Sequence, residues 1–104
     1  QLRRLALRAG AGLARSGSSF GHGSGDIALA FSTAYTLPHL PSTPMPQLAM
    51  VHESRLDPLF AAAAEATEQA IVNALWHATA VTGRDGHHRS RFRDALQSLE
   101  RKDQ

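Results

Sequence analysis

Apolar residues at helical spacing begin with the first residues of the chain. They recur along one face of a helix at Leu2, Leu5, Ala6, Ala9 and Leu13, with arginines largely between them. The pattern predicts an amphipathic helix from Gln1 to about Arg15. No Ser, Thr, Asp or Asn precedes this helix to cap its first turn, so we expect the polypeptide to continue upstream of Gln1.

A second pattern, with a period of two, follows a glycine- and serine-rich run over residues 16–25. Bulky Ile27, Leu29 and Phe31 alternate with small residues at Ala28, Ala30 and Ser32. The alternation predicts a β-strand over residues 26–33 with one bulky face and one small-residue face. A lone strand cannot satisfy its own ladder hydrogen bonds, and no second strand of comparable quality follows. We therefore expect sequence outside this chain to complete the sheet.

The second half of the chain is predicted to be mainly helical. Four prolines between Tyr35 and Glu53 predict a loop, and Asp57-Pro58 then begins a long helix that Gly83 is placed to end. Residues 83–86 are typical of a turn, and Ser90 could cap a short last helix. The expected fold class is α/β (α+β), with mainly helices and about one clear strand, over residues 1–104 as one partial domain.

Composition narrows the function classes. The 11 Lys and Arg against 9 Asp and Glu give a formal charge of only +2, so nucleic acid would be a natural partner only if the arginines gathered on one face. No cysteine is present, which excludes thiolate metal sites, and the histidines lack ligand spacing. No apolar run approaches the roughly 20 residues of a membrane helix. We expect no metal, no cofactor, no nucleic acid and no membrane partner.

The glycine-rich run contains parts of two known motifs, and the surrounding sequence excludes both. The spacing Gly21-x-Gly23-x-Gly25 begins a dinucleotide fingerprint, but that fingerprint needs strand, glycine turn and helix, and here the order is reversed. The hydrolase pattern Gly-x-Ser-x-Gly, centred on Ser24, would need glycines where His22 and Asp26 stand.

The motif that fits its context is Ser24-Gly25-Asp26, at the start of the predicted strand. Residues two apart share a face in extended backbone, so the Ser24 hydroxyl and the Asp26 carboxylate can point into one site. A hydroxyl beside a carboxylate can orient a proton, but it is not an activated nucleophile without a base. Gly23 and Gly25 would allow close backbone approach, and His22 could contact substrate. Spacing alone favours the simpler alternative, a glycine-rich turn in which Asp26 caps backbone amides.

Taken in order, several segments resemble one family, the L-aminopeptidase/D-esterase family, which includes D-aminopeptidases and β-aminopeptidases. Each segment alone is a weak signal, but their joint order from Gln1 to about Gly86 is specific. They are residues 1–6, 12–17, 23–27, 30–34, 56–60, 66–68, 70–75 and 82–86.

The resemblance implies a precursor that cleaves itself before a serine, which becomes the N-terminal nucleophile of a smaller β subunit in an α-β-β-α sandwich. That serine is expected a short strand upstream of Gln1, which makes this chain a C-terminal fragment. Ser24 matches a second family serine that hydrogen-bonds the nucleophile, and Asp26 matches an acidic residue near its free amine. The implied partners are a larger α subunit, which would supply the oxyanion donors, and short peptide, amide or ester substrates. A homo-oligomer is expected of the full protein.

The sequence departs from the family pattern at two places, and three alternative functions stay open at this point. Family members usually have Asn where His22 stands, and the proline-rich residues 37–46 are unusual. One alternative is an acyl transferase like the autoprocessed ornithine acetyltransferases, whose nucleophile is threonine. The others are a degenerate family member and a non-catalytic, arginine-rich nucleic-acid-binding module.

Overall fold

The structure is a computed structural model that describes residues 1–23, 25–40, 44 and 47–102. Over these ranges the elements follow in the order α1 (Leu2–Arg15), α2 (Leu56–His77), β1 (Val81–Thr82), β2 (His88–Arg89) and α3 (Phe92–Glu100). The mostly helical chain with a small antiparallel sheet agrees with the expected α+β class. No helix in the described ranges is long and apolar enough to cross a membrane.

The core lies where α1 crosses α2. Leu56, Phe60 and Ala64 of α2 are buried, and the buried residue of α1 is Gly12. Burial of these side chains against α1 holds the two helices together, because removing apolar surface from water is the main favourable contribution to folding. The prediction of α1 is confirmed almost to the residue.

The predicted start of α2, at Asp57-Pro58, was close to the observed one, and its predicted end was wrong by several residues. The helix begins at Leu56, because a 3-10 turn at Glu53–Arg55 leads into it and puts Asp57 inside the first turn. It ends at His77 rather than at Gly83, since the chain leaves the helix to form β1. Gly83 has φ −88° and no left-handed conformation.

The predicted strand is the principal difference between expectation and structure. Residues 25–33 pair with no strand in the described part of the chain, and the bulky face is exposed, with Ile27 at 98%, Leu29 at 85% and Phe31 at 75%. The observed strands instead flank the predicted turn at residues 83–86: Val81 pairs with Arg89 and Thr82 with His88 in an antiparallel hairpin. The hairpin closes on itself locally, whereas residues 26–33 need a ladder partner from elsewhere.

Candidate functional site

Two apolar grooves lie on either side of the start of α1, and Arg3 lines both of them. The groove that Gly25 and Asp26 line has a volume of about 610 Å³. One wall is residues 25–28, and the opposite wall is the α1 face together with two α2 residues. The helical lining residues are Arg3, Ala6, Leu7, Ala9, Gly10, Leu13, Thr67 and Ile71.

The structure brings part of the predicted constellation to this groove. Gly25 and Asp26 line it, and both are exposed. His22 and Gly23 lie in an exposed turn and are not among the lining residues. Ser24 lies outside the described residues, so its predicted role stays a prediction. A β-carbon placed on Gly25 would meet nothing within 4 Å among the described residues, so packing against that part of the chain does not require a glycine here.

The second groove, of about 820 Å³, lies beside the point where the chain enters α1. Gln1, Leu2 and Leu5 form one side, and Leu56 and Leu59 from the start of α2 form another. Residues 31–35 and 48–51 close the remaining sides. The chain that follows Asp26 therefore runs from one groove to the other.

A polar cluster at the rim of this second groove was missed by the sequence analysis. The side-chain amide of Gln1 donates to the carbonyl of Val51 at 2.6 Å and to Glu53 Oε1 at 3.1 Å, and Arg4 donates to Glu53 Oε2. The Gln1 hydrogen bond, followed by that from Arg4, holds the pKa of Glu53 below its usual value. No local pattern predicts these contacts, because the partners are about fifty residues apart along the chain.

Three of the four arginines of α1, namely Arg4, Arg8 and Arg15, have partners within the described part of the chain. Arg8 lies over the Phe60 ring at 4.2 Å from its centroid, and Arg4 lies over the same ring at 5.0 Å. Arg15 pairs with Glu68 of α2 at 3.6 Å. In the described ranges, no group of three or more His, Cys, Asp or Glu side chains is arranged to hold a metal ion.

Comparison with known proteins agrees with the family resemblance of the sequence. The sequence profile of Peptidase family S58 matches residues 1–89. The chain is 41% identical to the β-peptidyl aminopeptidase BapA of Sphingosinicella microcystinivorans over 84% of its length, and 39% identical to BapA of Sphingosinicella xenopeptidilytica over 80%. It spans only 22% and 21% of these two relatives. The crystal structure of the PH0078 protein from Pyrococcus horikoshii OT3 superposes with a TM-score of 0.85 at 43% identity, covering 98% of this chain and 29% of that one.

Proposed function

We propose that this chain, which belongs to peptidase family S58, is the C-terminal part of a self-cleaving hydrolase that removes N-terminal residues from short peptides, amides and esters. The observation that carries the proposal is the position of Gly25 and Asp26 in a groove against α1, within the segment that the family profile covers. The similarity to two β-peptidyl aminopeptidases supports the same reaction class.

In the proposed reaction, a serine upstream of Gln1 becomes the N-terminal residue when the precursor cleaves itself. Its free amine takes the proton from its own hydroxyl, and the hydroxyl oxygen attacks the substrate carbonyl carbon. Collapse of the tetrahedral intermediate breaks the scissile bond, and the ammonium group returns its proton to the leaving amine or alcohol. Water then attacks the acyl-enzyme, with the amine again as base, and releases the N-terminal residue as a free acid.

Asp26 and Ser24 would act on the charge and orientation of that amine. A carboxylate near the amine favours its protonated form, which is the form created when the serine loses its proton. The Ser24 hydroxyl would hydrogen-bond the nucleophile and hold it in one rotamer. The groove beside Asp26 is lined mainly by apolar side chains, which supports a role in excluding water from the charged groups.

Two partners complete the proposal. A larger α subunit from the same precursor would supply the oxyanion donors, which in other acyl-transfer enzymes are backbone and side-chain N–H groups. It would also pair with residues 26–33, whose apolar side chains are exposed here. The assembled protein is proposed to be a homo-oligomer.

Intact mass and N-terminal sequencing of the protein expressed from the full-length gene test this proposal. We expect two chains, the smaller beginning with Ser a little upstream of Gln1, and hydrolysis of D-alanyl or β-alanyl amides by the cleaved protein. A smaller chain that begins with Thr would instead indicate an acyl transferase. A single uncleaved chain without hydrolase activity would contradict the proposal.

A further inference from the structure

The first turn of α1 carries cationic side chains. It contains Arg3 and Arg4 and no acidic residue, and Gln1 makes no side-chain hydrogen bond to this helix. The Gln1 and Arg4 side chains instead bond to residues about fifty positions further along the chain.

Glu53 is the shared partner of these two side chains. Its carboxylate accepts hydrogen bonds from both Gln1 and Arg4. The second hydrogen bond of Gln1, to the Val51 carbonyl, ties the same side chain to the backbone two residues before Glu53. We call this group of contacts, among Gln1, Arg4, Val51 and Glu53, the N-terminal clamp.

The clamp is well placed to fix the direction in which the chain enters α1. Glu53 is at the beginning of the 3-10 turn that leads directly into α2, and Leu56, the first residue of α2, is only 1% exposed. The clamp therefore connects Gln1 to an anchored point of the core rather than to a free loop. Its three hydrogen bonds come from two side chains one helical turn apart, so they restrain rotation of the first turn as well as its position.

We infer that Glu53 is a positioning residue for the proposed hydrolase, acting through Gln1 and Arg4 on the placement of the serine upstream of Gln1. The inference rests on the proposed function, because it requires a nucleophile in that position. Catalysis by an N-terminal amine and its own hydroxyl depends on their alignment with the substrate carbonyl, and a displacement of about 1 Å can cost on the order of a hundredfold in rate. The clamp is exposed, so its loss is expected to alter alignment more than global stability.

The chain offers a matched control in Glu68, which pairs with Arg15 at the opposite end of α1. Both acidic residues pair with an arginine of the same helix across a partly exposed surface, but only Glu53 is next to Gln1. Two further variants separate the contacts. Glu53→Gln retains an acceptor for Gln1 while it removes the charge that faces Arg4, and Gln1→Ala removes only the amide contacts.

The test is made on protein from the full-length gene, with self-cleavage followed by intact mass, and with kcat, KM and Tm measured on the processed enzyme. We expect Glu53→Ala to lower kcat about tenfold with little change in KM. Glu53→Gln should restore part of that loss, Gln1→Ala should lower kcat less, and Glu68→Ala should leave kcat unchanged.

Two results distinguish the inference from the function on which it rests. If the wild-type protein is cleaved and active but Glu53→Ala and Glu68→Ala have the same kcat, or if kcat simply follows Tm across the variants, the positioning role is overturned and the proposed function stands. If the wild-type protein is neither cleaved nor active, both are overturned.

Discussion

Gly12 of α1 passes so close to Ala64 of α2 that a β-carbon on Gly12 would lie 2.3 Å from the Ala64 carbonyl oxygen. It would also lie 2.7 Å from Thr67 Cβ. The helices can cross at this distance only because position 12 has no side chain. This crossing sets the position of the α1 face that forms one wall of the groove beside Asp26.

Gly12→Ala is expected to destabilise the full-length protein by about 1–3 kcal/mol or more, because the obstructing atoms are backbone and a branched side chain that cannot move aside. Gly10→Ala is the control, since its β-carbon would meet only Phe20 Cζ at 3.8 Å, an ordinary contact. Because alanine favours the helix, Gly10→Ala should be neutral or stabilising by up to about 1 kcal/mol. Denaturant unfolding of both variants measures the difference. Equal stability would show that the helices can separate without cost.

Asp26→Asn is expected to lower kcat of the processed enzyme by roughly 10²–10⁴-fold, because the amide cannot stabilise the protonated N-terminal amine. Ser24→Ala should lower it by a smaller factor, since the amine and the nucleophile remain. Steady-state kinetics on β-alanyl and D-alanyl amides provide the measurement.

Asp85→Asn is the matched control for the substitution at Asp26. Asp85 lies in the hairpin turn at φ 60°, a conformation that Asn also tolerates, and it is not a groove residue. If Asp85→Asn and Asp26→Asn reduced activity equally, Asp26 would have no specific role in the reaction.

The contacts of Phe60 with the arginines of α1 predict a measurable coupling. A double-mutant cycle of Arg8→Met and Phe60→Leu should give an interaction energy of about 0.5–1 kcal/mol, the usual size of a partly exposed cation–π contact. The same cycle with Arg15→Met should be additive within about 0.3–0.5 kcal/mol, because Arg15 contacts Glu68 instead. Urea unfolding of the full-length variants measures the free energies of unfolding. Equal coupling of Phe60 to Arg8 and to Arg15 would contradict a specific cation–π contact with Arg8.

The start of α3 predicts a pH dependence. Arg91 donates to both carboxylate oxygens of Asp94, at 2.9 and 2.8 Å, and these hydrogen bonds lower the pKa of Asp94. Because the folded-state pKa is lowered, the contribution of the pair is complete above the ordinary Asp pKa of about 3.9 and disappears as pH falls through the lowered value.

Hydrogen exchange of peptides covering α3 can follow this effect in the full-length protein. Wild type should be better protected than Asp94→Asn at neutral pH, and the difference should vanish in acid. Ser98→Ala removes an uncharged hydrogen bond from the same helix, to the Ala95 carbonyl at 2.7 Å, so its effect should not depend on pH. A wild-type advantage over Asp94→Asn that persists unchanged in acid would contradict the ion-pair explanation.

Much of the helical structure could be predicted from the sequence, because helix formation depends on residues three and four apart. The apolar spacing from Leu2 to Leu13 is sufficient to place α1, and the residue types at 83–86 are sufficient to predict the turn at the end of the hairpin. The strands of that hairpin, at two residues each, are too short for any period to be detected.

The candidate site was only partly predictable. The order of motifs from Gln1 to Gly86 was enough to indicate the peptidase family, and it marked Ser24 and Asp26 as the residues to test. It gave no sign that Arg3 lines the grooves on both sides of α1, because a groove is made by surfaces that are distant in sequence.

The sequence by itself determined the helices, the turn and the family, since each depends on local spacing or on an ordered series of motifs. The tertiary structure alone decided the close crossing at Gly12, the end of α2 and the clamp that joins Gln1 to Glu53. It also left residues 26–33 without a ladder partner in the described chain, although their alternation is that of a strand. The physical reason is the same in each case. A backbone crossing, a long-range hydrogen bond and a β-ladder all require a second segment of chain that no local pattern specifies.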